Sequence, residues 1–285
     1  MTDRVTLSEV SPRDGLQNEA RQVRTADKIR LVDLLSACGF THIEVTSFVS
    51  PKWVPQMADA AEVMSGITRR PGISYAVLTP NLQGLERALQ AKADEVAVFA
   101  SASESFSQRN INCSIAESLD RFRPVLDRAV AAGIRVRGYV SCVTDCPYEG
   151  PVAPEAVARV ASALHGLGCH QISLGDTIGH GTPATIGRML DAVLSLLPAD
   201  RLSGHYHDTG GLALRNIATS LDKGLRSFDA SVGGLGGCPY APGAKGNVAT
   251  EAVAAFLHAE GFATGLDLDR LSEAARFAQS LRSPQ

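Results

Sequence analysis

The sequence predicts a closed (β/α)8 barrel, on three observations. Eight short runs rich in β-branched residues alternate with Ala- and Leu-rich stretches of helical periodicity, the pattern of repeated βα units. The chain has 285 residues, near the ~250 that one such barrel needs. Its first strand runs into Ser11-Pro-Arg-Asp-Gly-Leu-Gln17; an open dinucleotide-binding sheet would place a GxGxxG turn there.

Taken in order, the strands are expected over residues 5–10, 42–46, 73–77, 95–99, 136–141, 171–174, 202–207 and 227–231. Helical spacing falls between them, over 27–37, 82–91, 115–131, 154–167, 183–196 and 212–223, and a final helix is expected to start near Val248. No low-complexity run or Pro/Gly/Ser linker interrupts the alternation, so residues 1–285 read as a single barrel domain. Aromatic residues are only 5% of the chain, so its core must rest on Ala, Val, Leu and Ile, which suit strands covered on both faces.

The net charge of −3 argues against nucleic acid or an anionic membrane as partner. No apolar run approaches spanning length, and the opening Met1-Thr-Asp-Arg-Val lacks a signal-peptide core; a cytoplasmic setting is expected. In a reducing compartment the six cysteines read mostly as buried small apolar groups, not disulfides. Cys142 and Cys146 have no CxxC partner pair and make a poor zinc site.

Barrel active sites form at the C-terminal ends of the strands, and the polar residues gather there. Arg13 and Asp14 follow strand one, Glu44 and Thr46 close strand two, Asp176 follows strand six, and His205 and His207 end strand seven. Residues two apart on a strand share a face, so the two imidazoles can converge on one ion. The alternative is that one histidine packs in the core while the other bonds a carbonyl. Asp14 can add a carboxylate oxygen and Asn247 an amide oxygen, a mixed set that suits Mg²⁺ or Mn²⁺. Arg13 is either a salt-bridge partner or a donor to a developing oxyanion. Glu44 is either its ion-pair partner or a chemical group, and Asp176 either an orienting carboxylate or a proton-transfer group. The glycine-rich stretch 231–247 after strand eight reads as a mobile loop that closes over substrate, carrying Cys238 as a candidate proton donor or acceptor.

Longer segments carry a resemblance. Ser11-Pro-Arg-Asp-Gly-Leu-Gln-Asn-Glu19, Thr46-Ser-Phe-Val-Ser-Pro-Lys-Trp-Val-Pro-Gln-Met57, Ala102-Ser-Glu-Ser-Phe106, Asn110-Ile-Asn-Cys-Ser114, Gly138-Tyr-Val-Ser-Cys142, Gly175-Asp-Thr-Ile-Gly179 and Gly236-Gly-Cys-Pro-Tyr-Ala241 closely resemble the 3-hydroxy-3-methylglutaryl-CoA lyase family, within the metal-dependent barrel superfamily that also holds isopropylmalate and homocitrate synthases. The resemblance implies retro-Claisen cleavage of an acyl-CoA substrate to acetyl-CoA and acetoacetate. It makes Asp14, His205, His207 and Asn247 the shell of a divalent metal, Mg²⁺ or Mn²⁺. Arg13 would stabilise the thioester enolate, and Gln17 and Thr177 would join it in contacting substrate. Cys238 would sit on the catalytic loop, Glu44, Asp176 and His205 would take part in activity, and Glu251 would support the site from behind. A homodimer and a place in leucine breakdown or ketone-body formation follow by the same resemblance.

The chain departs from the family at His180, Lys245 and Gly210, where small or neutral residues or, at 210, an aromatic ring are expected. Those changes leave a larger 3-substituent open as the acyl group. A Claisen-type synthase, a pyruvate-forming aldolase and a catalytically silent barrel are the rival readings.

Overall fold

In the computed structural model, which describes residues 3–236 and 246–282, eight parallel strands close into a barrel in which each strand pairs with its sequence neighbours. They are β1 (Thr6–Glu9), β2 (His42–Ser47), β3 (Ser74–Leu78), β4 (Glu95–Ser101), β5 (Arg135–Ser141), β6 (Gln171–Asp176), β7 (Leu202–Tyr206) and β8 (Ser227–Ala230). The sheet closes where Thr6, Leu7, Ser8 and Glu9 pair with Ser227, Phe228, Asp229 and Ala230. All eight expected strands are present, with ends shifted by a residue or two.

The helices that cover the barrel begin where local chemistry allows. Residues Ile115–Ala131 form a helix opened by a capping box in which Ser114 and Glu117 bond each other's backbone amides, satisfying two donors that a helix start leaves free. Pro183–Leu194 opens with Thr182 as cap and proline in its first turn, where a missing N–H costs nothing. Outward-facing strand residues pack against these helices. Gly138, between inward-facing Arg137 and Tyr139, leaves room only for Cys169, Leu164 and Ile172, each about 3.1–3.2 Å from where its Cβ would stand.

Three helices were not anticipated: Ala60–Gly66, Glu104–Ile111 and Leu268–Ser280. The first is one or two turns long, and the second is polar with little periodic signal. The expected final helix starts at Thr250, and Leu268–Ser280 follows it and packs beside the first helix, Thr25–Ser36, and under the turn after β8.

The barrel interior is polar. Arg137, Ser173, Ser203 and Asp229 are all buried there, where barrels usually stack branched apolar side chains in layers. Its two ends carry buried carboxylates. At the C-terminal end Glu9 is fully buried, accepts the amides of Ser11 and Val232 on Oε1 at 2.9 Å each, and takes the Thr250 hydroxyl on Oε2 at 2.7 Å. Burial pushes its carboxyl up to about 7 against the pull of those donors. At the N-terminal end Glu95 Oε2 lies 3.1 Å from His42 Nε2, 3.0 Å from His170 Nε2 and 3.1 Å from Arg135 Nη2. Burial would raise the Glu95 carboxyl, but its bonds to the two histidines hold it well below the usual range.

Two predictions follow from these carboxylates. Glu9→Ala leaves two buried amides and a hydroxyl without an acceptor, at about 1–3 kcal/mol each, so its denaturation midpoint in urea should fall sharply. Glu9→Gln keeps one oxygen for both amides and should stay near the parent. Glu95, with its folded pKa lowered, stabilises the fold fully above the unfolded carboxylate pKa of about 4.3, and that contribution fades as the pH drops below it. The melting temperature of Glu95→Gln should therefore lie below the parent's at pH 6, with the gap narrowing towards pH 3. A constant gap would remove Glu95 from acid denaturation.

Candidate active site

The site is built at the C-terminal rim from the turn that follows β1. After Val10 the chain makes one widened helical turn in which the amides of Asp14 and Gly15 both bond the Val10 carbonyl, at 2.8 and 3.1 Å. Such single π-turns recur at functional sites, and here the turn aims Arg13 and Asp14 into the barrel mouth. It also presses Gly15 against the β8 turn: a Cβ there would stand 2.8 Å from Ser231 Oγ and 2.9 Å from Leu235 Cβ. In β2 the pairing slips between Glu44 and Thr46, an irregularity that re-aims side chains beside active sites, and Glu44 meets Arg13.

Arg13 is buried and bonds two carboxylates at 2.6 Å, Asp14 Oδ1 through Nη1 and Glu44 Oε2 through Nη2. Its Nε has no partner among the described residues. Burial would lower the guanidinium pKa, but Glu44 and Asp14 outweigh it and raise it. Glu44 itself is pushed up by burial against the pull of Arg13, and it also accepts the Tyr139 hydroxyl at 3.1 Å. The Tyr139 ring lies between two guanidinium groups, 5.5 Å from Arg13 and 5.3 Å from Arg137.

Asp14, His205 and His207 each offer a ligand atom within 4.8 Å of the others. His205 Nε2 lies 3.9 Å from Asp14 Oδ2, and the two imidazole centroids are 5.5 Å apart. β7 ends at Tyr206, one residue short of expectation; His207 lies just beyond and bridges backbone to backbone with Asn247. That bridge brings Asn247 in, and its Nδ2 donates to Asp14 Oδ2 at 2.7 Å and to the Leu235 carbonyl at 3.3 Å. His207 Nδ1 is buried with no hydrogen-bond partner among the described residues. An orphaned buried nitrogen beside an oxygen-bearing carboxylate is a donor set that a divalent cation would complete.

Electrostatics favour the same reading. Burial opposes ionisation of Asp14, but Arg13 and the two histidines lower it to about 2, so the carboxylate is charged. Burial and the neighbouring His205 lower His207 to about 4, leaving it neutral and free to donate an electron pair. Burial works against charge on His205, while Asp229 and Asp14 raise its pKa; a cation there would compete with that proton.

The remaining expected residues divide. Asp176 is buried, is not among the three clustered ligand residues, and anchors the turn after β6, accepting the Gly181 amide at 2.9 Å and the Thr144 hydroxyl at 3.1 Å. Thr177 Oγ1 accepts the Cys142 amide at 2.8 Å. Gln17 Oε1 is buried and has no partner among the described residues. Glu251 accepts the Gly233 amide at 3.1 Å and so braces the β8 turn from behind. His180 is exposed, and the Gly210 amide bonds the Gly179 carbonyl at 3.1 Å. Cys238 and Lys245 lie outside the described residues, as does the middle of the glycine-rich loop. The part of that loop before residue 237 is packed: Val232 and Leu235 are fully buried. At Gly236, with φ +103°, a Cβ would stand 2.6 Å from Asn247 Nδ2, so glycine is needed for close approach. The five described cysteines are free and buried, as expected.

Sequence reasoning did not single out Glu9, Arg137, Tyr139 or Asp229. Arg137, Tyr139 and Asp229 each stand between glycine or apolar neighbours within a strand, a signal that could have found them; Glu9, preceded by Ser8 at the end of β1, carries no such signal. A cavity of about 510 Å³ opens at the opposite, N-terminal mouth among residues that include Ser8, His42, Arg135, His170 and Arg226. The converging ionisable groups lie at the C-terminal end, where barrel chemistry takes place, and they mark the site.

Comparison with known proteins places the chain in a family. The chain is 59% identical, over 96% of its length and 91% of the relative's, to a Pseudomonas aeruginosa protein named 3-hydroxy-3-isohexenylglutaryl-CoA/hydroxy-methylglutaryl-CoA lyase. Among solved structures it is similar to the HMG-CoA lyase of Brucella melitensis, with a TM-score of 0.98 and 64% identity over 98% of this chain and 99% of that one. It is also similar to an HMG-CoA lyase of Acinetobacter baumannii solved with coenzyme A and 3-methylmalate, with a TM-score of 0.93 and 40% identity over 99% and 93% of the two chains. With residues 4–278 matching its description, the chain belongs to the HMGL-like family.

Proposed function

We propose that this chain is a divalent-metal-dependent carbon–carbon lyase that cleaves 3-hydroxy-3-methylglutaryl-CoA to acetyl-CoA and acetoacetate. The observation that carries the reading is the buried Arg13 beside the Asp14–His205–His207 trio at the barrel mouth, in a chain whose close relatives bear that lyase name.

In this reading Asp14, His205, His207 and Asn247 hold the cation, and their mixed nitrogen and oxygen donors favour Mg²⁺ or Mn²⁺. When bound, the cation supplies Lewis acidity that makes the tertiary hydroxyl of the substrate more acidic. Loss of that proton turns the carbinol carbon into the ketone of acetoacetate as the C2–C3 bond breaks, and its electron pair becomes the enolate of the acetyl thioester. Arg13 keeps donor capacity beyond its two carboxylates, notably the unpartnered Nε, and is the group placed to stabilise that enolate oxygen. Glu44 holds Arg13 in place, and Gln17 and Thr177 contribute polar contacts to the substrate. A proton delivered to C2 completes acetyl-CoA; Cys238 is the loop residue proposed for that transfer, with Asp176 and Glu44 as further acid–base candidates and Glu251 as a support. The acyl-CoA is the partner, and the homodimer and cytoplasmic setting expected from the resemblance belong to the same reading.

A second reading concerns the acyl group. The Pseudomonas relative is named for an isohexenyl as well as a methyl substrate, and His180 stands exposed on the turn that Asp176 anchors. A longer 3-substituent is therefore the alternative substrate.

The test is acetyl-CoA release from the methyl substrate with Mg²⁺ or Mn²⁺, then with excess EDTA. Release that EDTA abolishes is expected, and Arg13→Met should lower kcat by about 10²–10³-fold, the cost of one oxyanion donor. Release that survives both treatments would overturn the mechanism. Turnover of the isohexenyl ester but not the methyl one would transfer the activity to the second reading.

A further inference from the structure

We propose that Asp229, on the inward face of β8, is a positioning residue that decides which nitrogen of His205 carries the proton and so presents Nε2 as an electron-pair donor to the cation site. The proposal rests on the reading above that the Asp14–His205–His207 trio holds a divalent cation.

Asp229 lies below the rim with no exposed side-chain surface. Its Oδ1 accepts Arg137 Nη2 at 2.6 Å and Ser203 Oγ at 3.3 Å, and its Oδ2 accepts Ser173 Oγ at 2.7 Å. The fourth neighbour is His205 Nδ1, 3.1 Å from Oδ2. An ionised carboxylate can only accept hydrogen bonds, so the His205 nitrogen that faces it must carry hydrogen. A neutral imidazole has one ring N–H, and with Nδ1 holding it Nε2 keeps its lone pair. Nε2 is the atom directed at Asp14 Oδ2.

The carboxylate cannot turn away from this task. Its partners come from three neighbouring strands, β5 (Arg137), β6 (Ser173) and β7 (Ser203 and His205), so its orientation is set from several sides at once. Arg137 is held in turn, with Nη1 3.4 Å from the Tyr139 hydroxyl and its guanidinium stacked near the Tyr139 ring. Asp229 is not one of the three residues that could ligate the cation. It acts through His205, as the carboxylates behind metal-binding histidines do.

Asparagine at this position should invert the arrangement. Arg137 can only donate, so it claims the amide oxygen, and the amide Nδ2 is turned toward His205 Nδ1. That nitrogen must then accept, and the ring proton moves to Nε2, where it blocks ligation. Asp229→Asn should therefore weaken Mn²⁺ binding, read by titration calorimetry, by about 10–100-fold. In the metal-free protein, at a pH where the His205 ring is neutral, ring ¹⁵N correlation spectra should show it changing from the Nδ1–H to the Nε2–H form.

Because Asp229→Asn leaves a guanidinium in the barrel without a counter-charge, a second pair keeps the test decisive. Arg137→Gln removes the guanidinium but retains the carboxylate on His205 and serves as the reference, against which Arg137→Gln/Asp229→Asn should bind Mn²⁺ about 10–100-fold more weakly. A double variant that binds as tightly as Arg137→Gln, or a His205 ring whose proton stays on Nδ1 in both asparagine variants, would overturn the proposal. If the parent chain binds no Mn²⁺ at all, the cation site itself is wrong and the proposal falls with it. That result differs from tight parent binding that asparagine leaves unchanged.

Discussion

Two arginines buried inside the barrel set the terms for everything else at the site. Arg13 and Arg137 are 6% and 4% exposed, and a charge so far from water is tolerated only when opposite charge and hydrogen bonds surround it. Arg13 is answered by Asp14 and Glu44, and Arg137 by Asp229. Tyr139 stands between the two cations and bonds Glu44. His205 joins the far end of this chain through Asp229 and the near end through its approach to Asp14. The result is a closed circuit of acid and base across the barrel mouth, in which displacing one group leaves another uncompensated. Such pairs add little to stability compared with apolar packing of the same volume. What they supply is definition: each donor and acceptor has one place to be.

A polar interior of this kind needs an apolar shell to hold it. The shell is the sheet's outer face and the helices, where residues such as Val96, Val136, Leu164, Ile172 and Leu190 are buried without polar atoms in their side chains. The barrel closes where β1 pairs with β8, joining the two ends of the chain's strand order. Here Glu9 ties the β1 turn, the β8 turn and the helix Thr250–Ala259 together from one carboxylate. The same ties fix the backbone on either side of Asp14 and Asn247. The device that closes the barrel therefore also sets the spacing of two candidate ligands.

Much of this was legible in the sequence, and the limits were physical. The eight strands could be read because buried parallel strands concentrate β-branched residues between helical periods. Arg13, Asp14, His205, His207 and Asn247 could be read because strand ends at one rim bring distant residues together. Period-two spacing placed both histidines on one face although the strand itself stops at Tyr206. The hydrogen-bonded partners were another matter. Arg137 and Asp229 lie 92 positions apart, and nothing local in either strand says that they meet across the barrel. Asp176 is read as a site residue from its position at the end of strand six, and in the structure it closes β6 with its carboxylate accepting the Gly181 amide and the Thr144 hydroxyl. Sequence position locates a residue at the rim; only the backbone of the following turn decides where its side chain points.

The two oxygens of Asp14 show how the circuit couples structure to the proposed chemistry. One is bonded to Arg13 and the other to Asn247, with His205 3.9 Å away. A carboxylate so placed is shared between a guanidinium and a cation site, and the negative charge given to one is drawn from the other. Arg13 is correspondingly held by Asp14 and Glu44 together, so Glu44 keeps it in the mouth even as the pull of Asp14 weakens. A donor that stays in position while its charge becomes less satisfied is suited to receive a developing oxyanion. In that account Glu44 is needed because Asp14 serves two partners, and its burial beside Arg13 is what makes the pairing strong enough to do so.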